Sequence, residues 1–90
     1  MEKKIGIFIP CYNVEKSIYT VLDSFSEEVL NQINTILVIN NCSTDATLNT
    51  LKEIQKSNHK TAKYLVIINN FENYGLGGSQ KIAYTYFLKN

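Results

Sequence analysis

Three short apolar runs, Ile5–Ile9, Thr35–Ile39 and Tyr64–Ile68, limit most strongly what this chain can fold into. Each is rich in β-branched side chains and is nearly continuous in its hydrophobicity instead of alternating. That is the pattern of strands covered on both faces. The segments between them carry helical spacing. Val14, Ile18, Val21, Leu22 and Phe25 recur mainly at three and four residues and so share one face. Leu48, Leu51 and Ile54 do the same, with Lys52, Glu53 and Lys56 on the solvent side, and a third stripe runs through Ile82, Ala83, Tyr86 and Phe87. The order is β-α-β-α-β-α, which predicts an α/β fold: a three-layer parallel sheet with helices on both faces.

With 90 residues the chain suffices for one domain with a single core. The formal net charge is +1 and the nine basic residues are scattered, a poor footprint for nucleic acid or an anionic membrane. No stretch approaches the roughly 20 apolar residues that span a bilayer. Glu2-Lys3-Lys4 precedes an apolar run too short for a signal sequence. Cys11 and Cys42 fit neither a zinc pattern nor a redox pair, and read as free thiols in a reducing cytoplasm. The polar run Ser57-Asn58-His59-Lys60 reads as a solvated loop with His59 on the surface.

In an open α/β sheet, ligands bind beyond the carboxyl ends of the strands. This selects three loops: Pro10 to Asn13, Asn40 to Asp45, and Asn69 to Gly78. The first lacks the G-x-G-x-x-G turn of dinucleotide-binding folds, and no G-x-x-x-x-G-K-[ST] loop occurs anywhere, which argues against NAD, FAD and the common nucleotide triphosphatases. In the second, Ser43 or Thr44 can cap the following helix, with Asp45 in its first turn. Asn40 and Asn41 admit two readings, a turn or hydrogen bonding to a base edge and a ribose hydroxyl. In the third, Gly75, Gly77 and Gly78 stand just before a helix, where they permit a tight turn and close approach of a ligand. Lys81, one turn further on, is expected in solvent.

Taken together the loops resemble the family 2 glycosyltransferases. Ile7 to Asn13 looks like that family's opening strand and P-x-Y-N turn, with Glu15 near the acidic residue that usually follows. Val38 to Thr47 looks like its V-D-D-G-S-T-D-x-T segment, and Asn73 to Ser79 is similar to its N-x-G-x-G-G/x-A/S segment. The resemblance implies the Rossmann-like half of a GT-A fold, and residues 1–90 as the amino-terminal nucleotide-binding part of a truncated domain. It implies inverting sugar transfer from a nucleoside-diphosphate sugar to a saccharide or lipid-linked acceptor, as in polysaccharide biosynthesis. The donor-binding positions it implies are Pro10, Tyr12, Asn13, Glu15, Asn41, Gly75, Gly77 and Gly78.

Two departures stand out. The family's paired aspartates are Asn40 and Asn41 here, and the following glycine is Cys42. In the family the second aspartate contacts the base and the first supports the site. The D-x-D motif that holds a divalent metal, Mg or Mn, has no counterpart, because no Asp-x-Asp occurs in the sequence. No catalytic residue and no metal ligand is therefore expected in this chain, and alone it should not transfer sugar. A longer parent protein would work in the cytoplasm, at the inner face of the membrane. Two rival readings remain: a non-catalytic nucleotide-binding or protein-interaction module, and a flavodoxin- or response-regulator-like domain. The open sheet edge makes homo-oligomers an expected partner mode.

Overall fold

Strands β1 (Gly6–Cys11), β2 (Thr35–Asn41) and β3 (Leu65–Asn70) pair in parallel in the order β1-β2-β3. The structure, a computed structural model, describes residues 5–89; the Glu2-Lys3-Lys4 start lies outside them. Between β1 and β2 come two short helices, α1 (Ile18–Asp23) and α2 (Glu27–Leu30). Helix α3 (Thr47–Lys56) and a 3-10 turn (Ala62–Tyr64) join β2 to β3, and α4 (Gly75–Lys89) follows.

Each strand differs from its expected span in the same direction. The apolar runs mark where strands are covered on both faces, but parallel pairing continues past them. Cys11 pairs with Asn40, Asn40 with Asn69, and Asn41 with Asn70. Pro10 is tolerated inside β1 because β1 is an edge of the sheet, where a missing N–H breaks no ladder on the open side. At the other end Ile5 and Tyr64 fall outside the strands. Ile5 instead exchanges hydrogen bonds with Asn34.

Side-chain alternation divides the core into two layers. Ile7, Ile9, Ile36, Val38, Leu65 and Ile67 face α1, α2 and α3, where Ile18, Leu22, Leu30, Leu51 and Ile54 cover them. Phe8, Leu37, Ile39, Val66 and Ile68 face α4 and meet Ile82, Ala83, Tyr86 and Phe87. Helices thus cover both faces, as the sequence pattern predicts. Phe87 reaches β1 because Gly6 has no side chain; a Cβ there would lie 2.2 Å from the Phe87 ring. Among the described residues no helix is long and apolar enough to cross a membrane.

Two expectations need correction. The first helical stripe is broken: Val14 and Phe25 pack on the core from outside any helix, and Val21 is exposed. The chain turns after Ser24, and Ser26 caps α2 by accepting from the Val29 N–H. His59 is not a surface histidine, since its side chain is 8% exposed. The Thr61 N–H donates to Nδ1, which leaves Nε2 to donate to the Asp23 carboxylate at 3.2 Å. Tyr19 meets the ring edge-on.

The two-layer core sets a contrast between leucines. Leu37→Ala, at a fully buried position, should cost about 2–5 kcal/mol. Leu88→Ala, at a position 69% exposed, should stay within about 0.5 kcal/mol of the parent. Urea midpoints at unchanged m-value are the measurement.

Candidate functional site

The parallel register carries four asparagines side by side across the carboxyl ends of β2 and β3. Their side chains satisfy one another. Asn40 Nδ2 donates to Asn69 Oδ1 at 2.9 Å, and Asn70 Nδ2 donates to Asn41 Oδ1 at 3.3 Å. Asn41 then fastens the following loop: its Oδ1 also accepts from the Tyr74 N–H at 3.0 Å, and its Nδ2 donates to Asn73 Oδ1 at 2.7 Å. Asn73 Oδ1 in turn accepts from the Gly75 N–H at 2.8 Å. Because Tyr74 N can only donate, the orientation of the Asn41 amide follows from the bonds themselves. Asn41 is 7% exposed, so these partners are what make its burial tolerable.

A second network joins the loop after β1 to the loop after β2. Asn13, at φ +52°, accepts through Oδ1 from the backbone amides of Thr44 and Asp45. Its own N–H donates to Ser43 Oγ, which donates to Asn40 Oδ1. Asp45 accepts from the amides of Glu15 and Thr47 and from the Thr47 hydroxyl. Thr47 Oγ1 accepts from Val14 N–H at 2.9 Å. Ser43 and Thr44 therefore do not cap α3. Their side chains face the β1 loop, and the Asp45 carboxylate meets the first helical amide instead. Cys42, in the left-handed region at φ +58°, turns the chain between the networks and donates from Sγ to the Phe71 carbonyl.

The third loop is shorter than expected, because α4 begins at Gly75. Gly77 and Gly78 lie inside the helix, and only Gly75, at φ +70°, needs glycine for its backbone. Gly78 is required by packing: a Cβ there would lie 2.5 Å from Tyr74 Cβ. Asn41 and Asn73 take the amides of Tyr74 and Gly75, which leaves those of Leu76 and Gly77 as the open donors of the first turn. Lys81 is exposed.

Of the residues singled out in the sequence, Pro10, Tyr12 and Asn41 line one cleft of about 180 Å³ with Cys11, Leu76 and Ser79. Burial pushes the Cys11 thiol up to about 11, so it stays protonated and uncharged at neutral pH. Gly75 and Gly77 head the helix that forms one wall, whereas Asn13 and Glu15 lie on the far side of the β1 loop, tied to Ser43 and Asp45. A second cleft of about 310 Å³, lined by residues including Cys42, Asp45, Leu48 and Phe71, opens beside α3.

A model of the family described as Glycosyl transferase family 2 matches residues 6–86. The chain belongs to that family. No curated protein and no solved structure gives a significant match.

Within this glycosyltransferase chain the positions of the family's paired aspartates are the two amides Asn40 and Asn41, and both are spent on internal hydrogen bonds. The residues present do not fit a divalent cation: among the described residues no three of His, Cys, Asp or Glu come together. The Asp45 carboxylate is committed to Thr47 and Glu15. Sequence reasoning missed Ser79, Asn70 and Asn73 as individual site residues. A signal for Asn70 was present, since an Asn-Asn pair ends both the second and third apolar runs, and parallel pairing sets such pairs abreast.

Two outcomes follow. Asn41→Asp replaces the donor to Asn73 with an acceptor, and should lower stability by about 1–3 kcal/mol in chemical denaturation at pH 7. The Asp45 carboxyl lies below the ordinary carboxylate range, chiefly through the Thr47 hydroxyl, with desolvation opposing and the amides of Thr47, Glu15 and Asp45 itself assisting. A depressed folded pKa means that its stabilisation is fully present above the unfolded value, about 3.9, and is lost as pH falls through the folded value. Melting temperatures should therefore drop on acidification below about pH 4, with a shallower drop in Asp45→Asn.

Proposed function

We propose that this chain is the donor-nucleotide-binding part of an inverting glycosyltransferase, in which a longer protein supplies the chemistry. The observation that carries the reading is the convergence of Pro10, Tyr12, Asn41 and the head of α4 on one cleft at the carboxyl ends of the strands, in a chain whose family is that of sugar transferases. Such a cleft, with apolar walls and a few polar groups, suits one face of a nucleotide. Tyr12 and Leu76 are both exposed, available to flank a ring.

In the transfer itself a general base takes the proton from the acceptor hydroxyl. The oxygen attacks the anomeric carbon from the face opposite the leaving group, the glycosidic bond to the donor's phosphate breaks, and the nucleoside diphosphate departs. The role of this chain is to hold and orient the donor so that the carbon is presented to that attack. We place the base, the acceptor pocket and the ligands of any Mg or Mn ion outside these 90 residues, in the cytoplasm at the inner membrane face; the chain alone binds without turnover. A non-catalytic nucleotide-binding module is the second reading, favoured by the amide pair that stands where the family has carboxylates.

An amide-resolved NMR titration with UDP, GDP and CDP tests the first reading. Shifts confined to residues 10–15, 40–45 and 73–79 are expected. A folded chain silent toward all three would count against it. Sugar transfer by the 90-residue chain would contradict the division of labour.

A further inference from the structure

One buried side-chain oxygen, on a residue that lines the cleft, has no partner among the described residues. Ser79 is 1% exposed, and its Oγ is the buried side-chain polar atom that lacks a hydrogen bond among the described residues. Keeping a hydroxyl dry and unpaired is unfavourable, and an orphan of this kind points to a group or water that completes it. Ser79 lines the same cleft as Pro10, Tyr12, Asn41 and Leu76, on the second turn of a 15-residue helix.

Another polar group of the lining, the Asn41 amide, has its oxygen filled and one of its two N–H donors committed. Asn41 Oδ1 accepts from Tyr74 N–H and Asn70 Nδ2, and its Nδ2 donates to Asn73. Using it to read a ligand would release the loop that forms the cleft wall. The lining also carries no charged side chain, and the whole sequence contains no arginine. A lining without charged side chains suits the uncharged end of a nucleotide. At about 30 Å³ per water, a cleft of about 180 Å³ has room for a heterocyclic base.

We propose that Ser79 Oγ hydrogen-bonds the edge of the donor's nucleobase, and that Ser79, not Asn41, sets base preference in this chain. The inference rests on the reading of the cleft as a donor-nucleotide site. The hydroxyl both donates and accepts, so it can meet a ring carbonyl or a ring N–H without moving Asn41.

The test compares the wild-type chain with Ser79→Ala and the near-isosteric Ser79→Cys, titrated with UDP and GDP. Wild type should separate the two nucleotides. Both variants should weaken the preferred one about three- to tenfold, the net worth of one hydrogen bond, and bring the affinity ratio toward one. Ser79→Ala should melt no lower than wild type, because it removes an unsatisfied group. Equal binding of both nucleotides by wild type, a loss in the variants that is the same for both or absent, or a lower melting temperature in Ser79→Ala each overturns the proposal while leaving the donor site in place. Binding of neither nucleotide by wild type removes the donor-site reading itself, and this inference with it.

Discussion

The pairing of Asn41 with its neighbours is the interaction on which the upper end of the molecule depends. Nearly buried, it closes β2 onto β3 through Asn70, and it reaches the chain entering α4 through Tyr74 N–H and Asn73. An amide can do this because it presents a donor and an acceptor on one rigid plane. Dropping the acceptor role would leave the buried Asn70 amide without this partner. The direction of α4, and with it the wall of the cleft, is therefore set from the end of the central strand.

Beneath that polar layer the sheet is held by its parallel backbone ladder and by burial. The rows Ile7–Ile36–Leu65 and Ile9–Val38–Ile67 run across all three strands toward α1 to α3, and Phe8–Leu37–Val66 runs toward α4. Apolar rows give way to asparagine one residue beyond Ile39 and Ile68. That change from side chains that exclude water to side chains that bond one another is the boundary between scaffold and site. It falls inside the strands, not after them, so the site stands on regular backbone instead of on free loops.

This boundary also explains what was legible in the sequence. The fold was, because three unbroken apolar runs separated by stretches with helical spacing admit few arrangements other than a doubly covered parallel sheet. The broken first helix was not: the stripe from Val14 to Phe25 has the right spacing, yet Val14 and Phe25 reach the core through turns, which periodicity cannot distinguish from helix. His59 misled for a related reason. Its polar neighbours in sequence suggest solvent, while the groups that enclose it, Asp23 and Tyr19, come from a helix about 40 residues away. Gly77 and Gly78 read as loop because glycine is a poor helix former. Asn73 and Asn41 start the helix ahead of them all the same. Ser79 stood at the end of the segment that resembles the family's third motif, but its hydroxyl was not legible, since the lack of a partner is a property of three-dimensional packing.

The exchange of carboxylates for amides then has a consequence for the electrostatics of the whole site. Two adjacent carboxylates at the end of a buried strand would need cations or protons to be stable, because like charges at close range oppose one another and burial disfavours both. Asn40 and Asn41 meet the same geometric demand with no charge, and they find their partners inside the chain. The strand ends are thereby preorganised before any ligand or ion arrives, and the cleft beside them stays neutral, lined by a protonated thiol, apolar side chains and the uncharged polar groups of Tyr12, Asn41 and Ser79. Recognition in such a place must come from shape and from single hydrogen bonds. A buried polar atom of the lining that still lacks a partner among the described residues is the hydroxyl of Ser79.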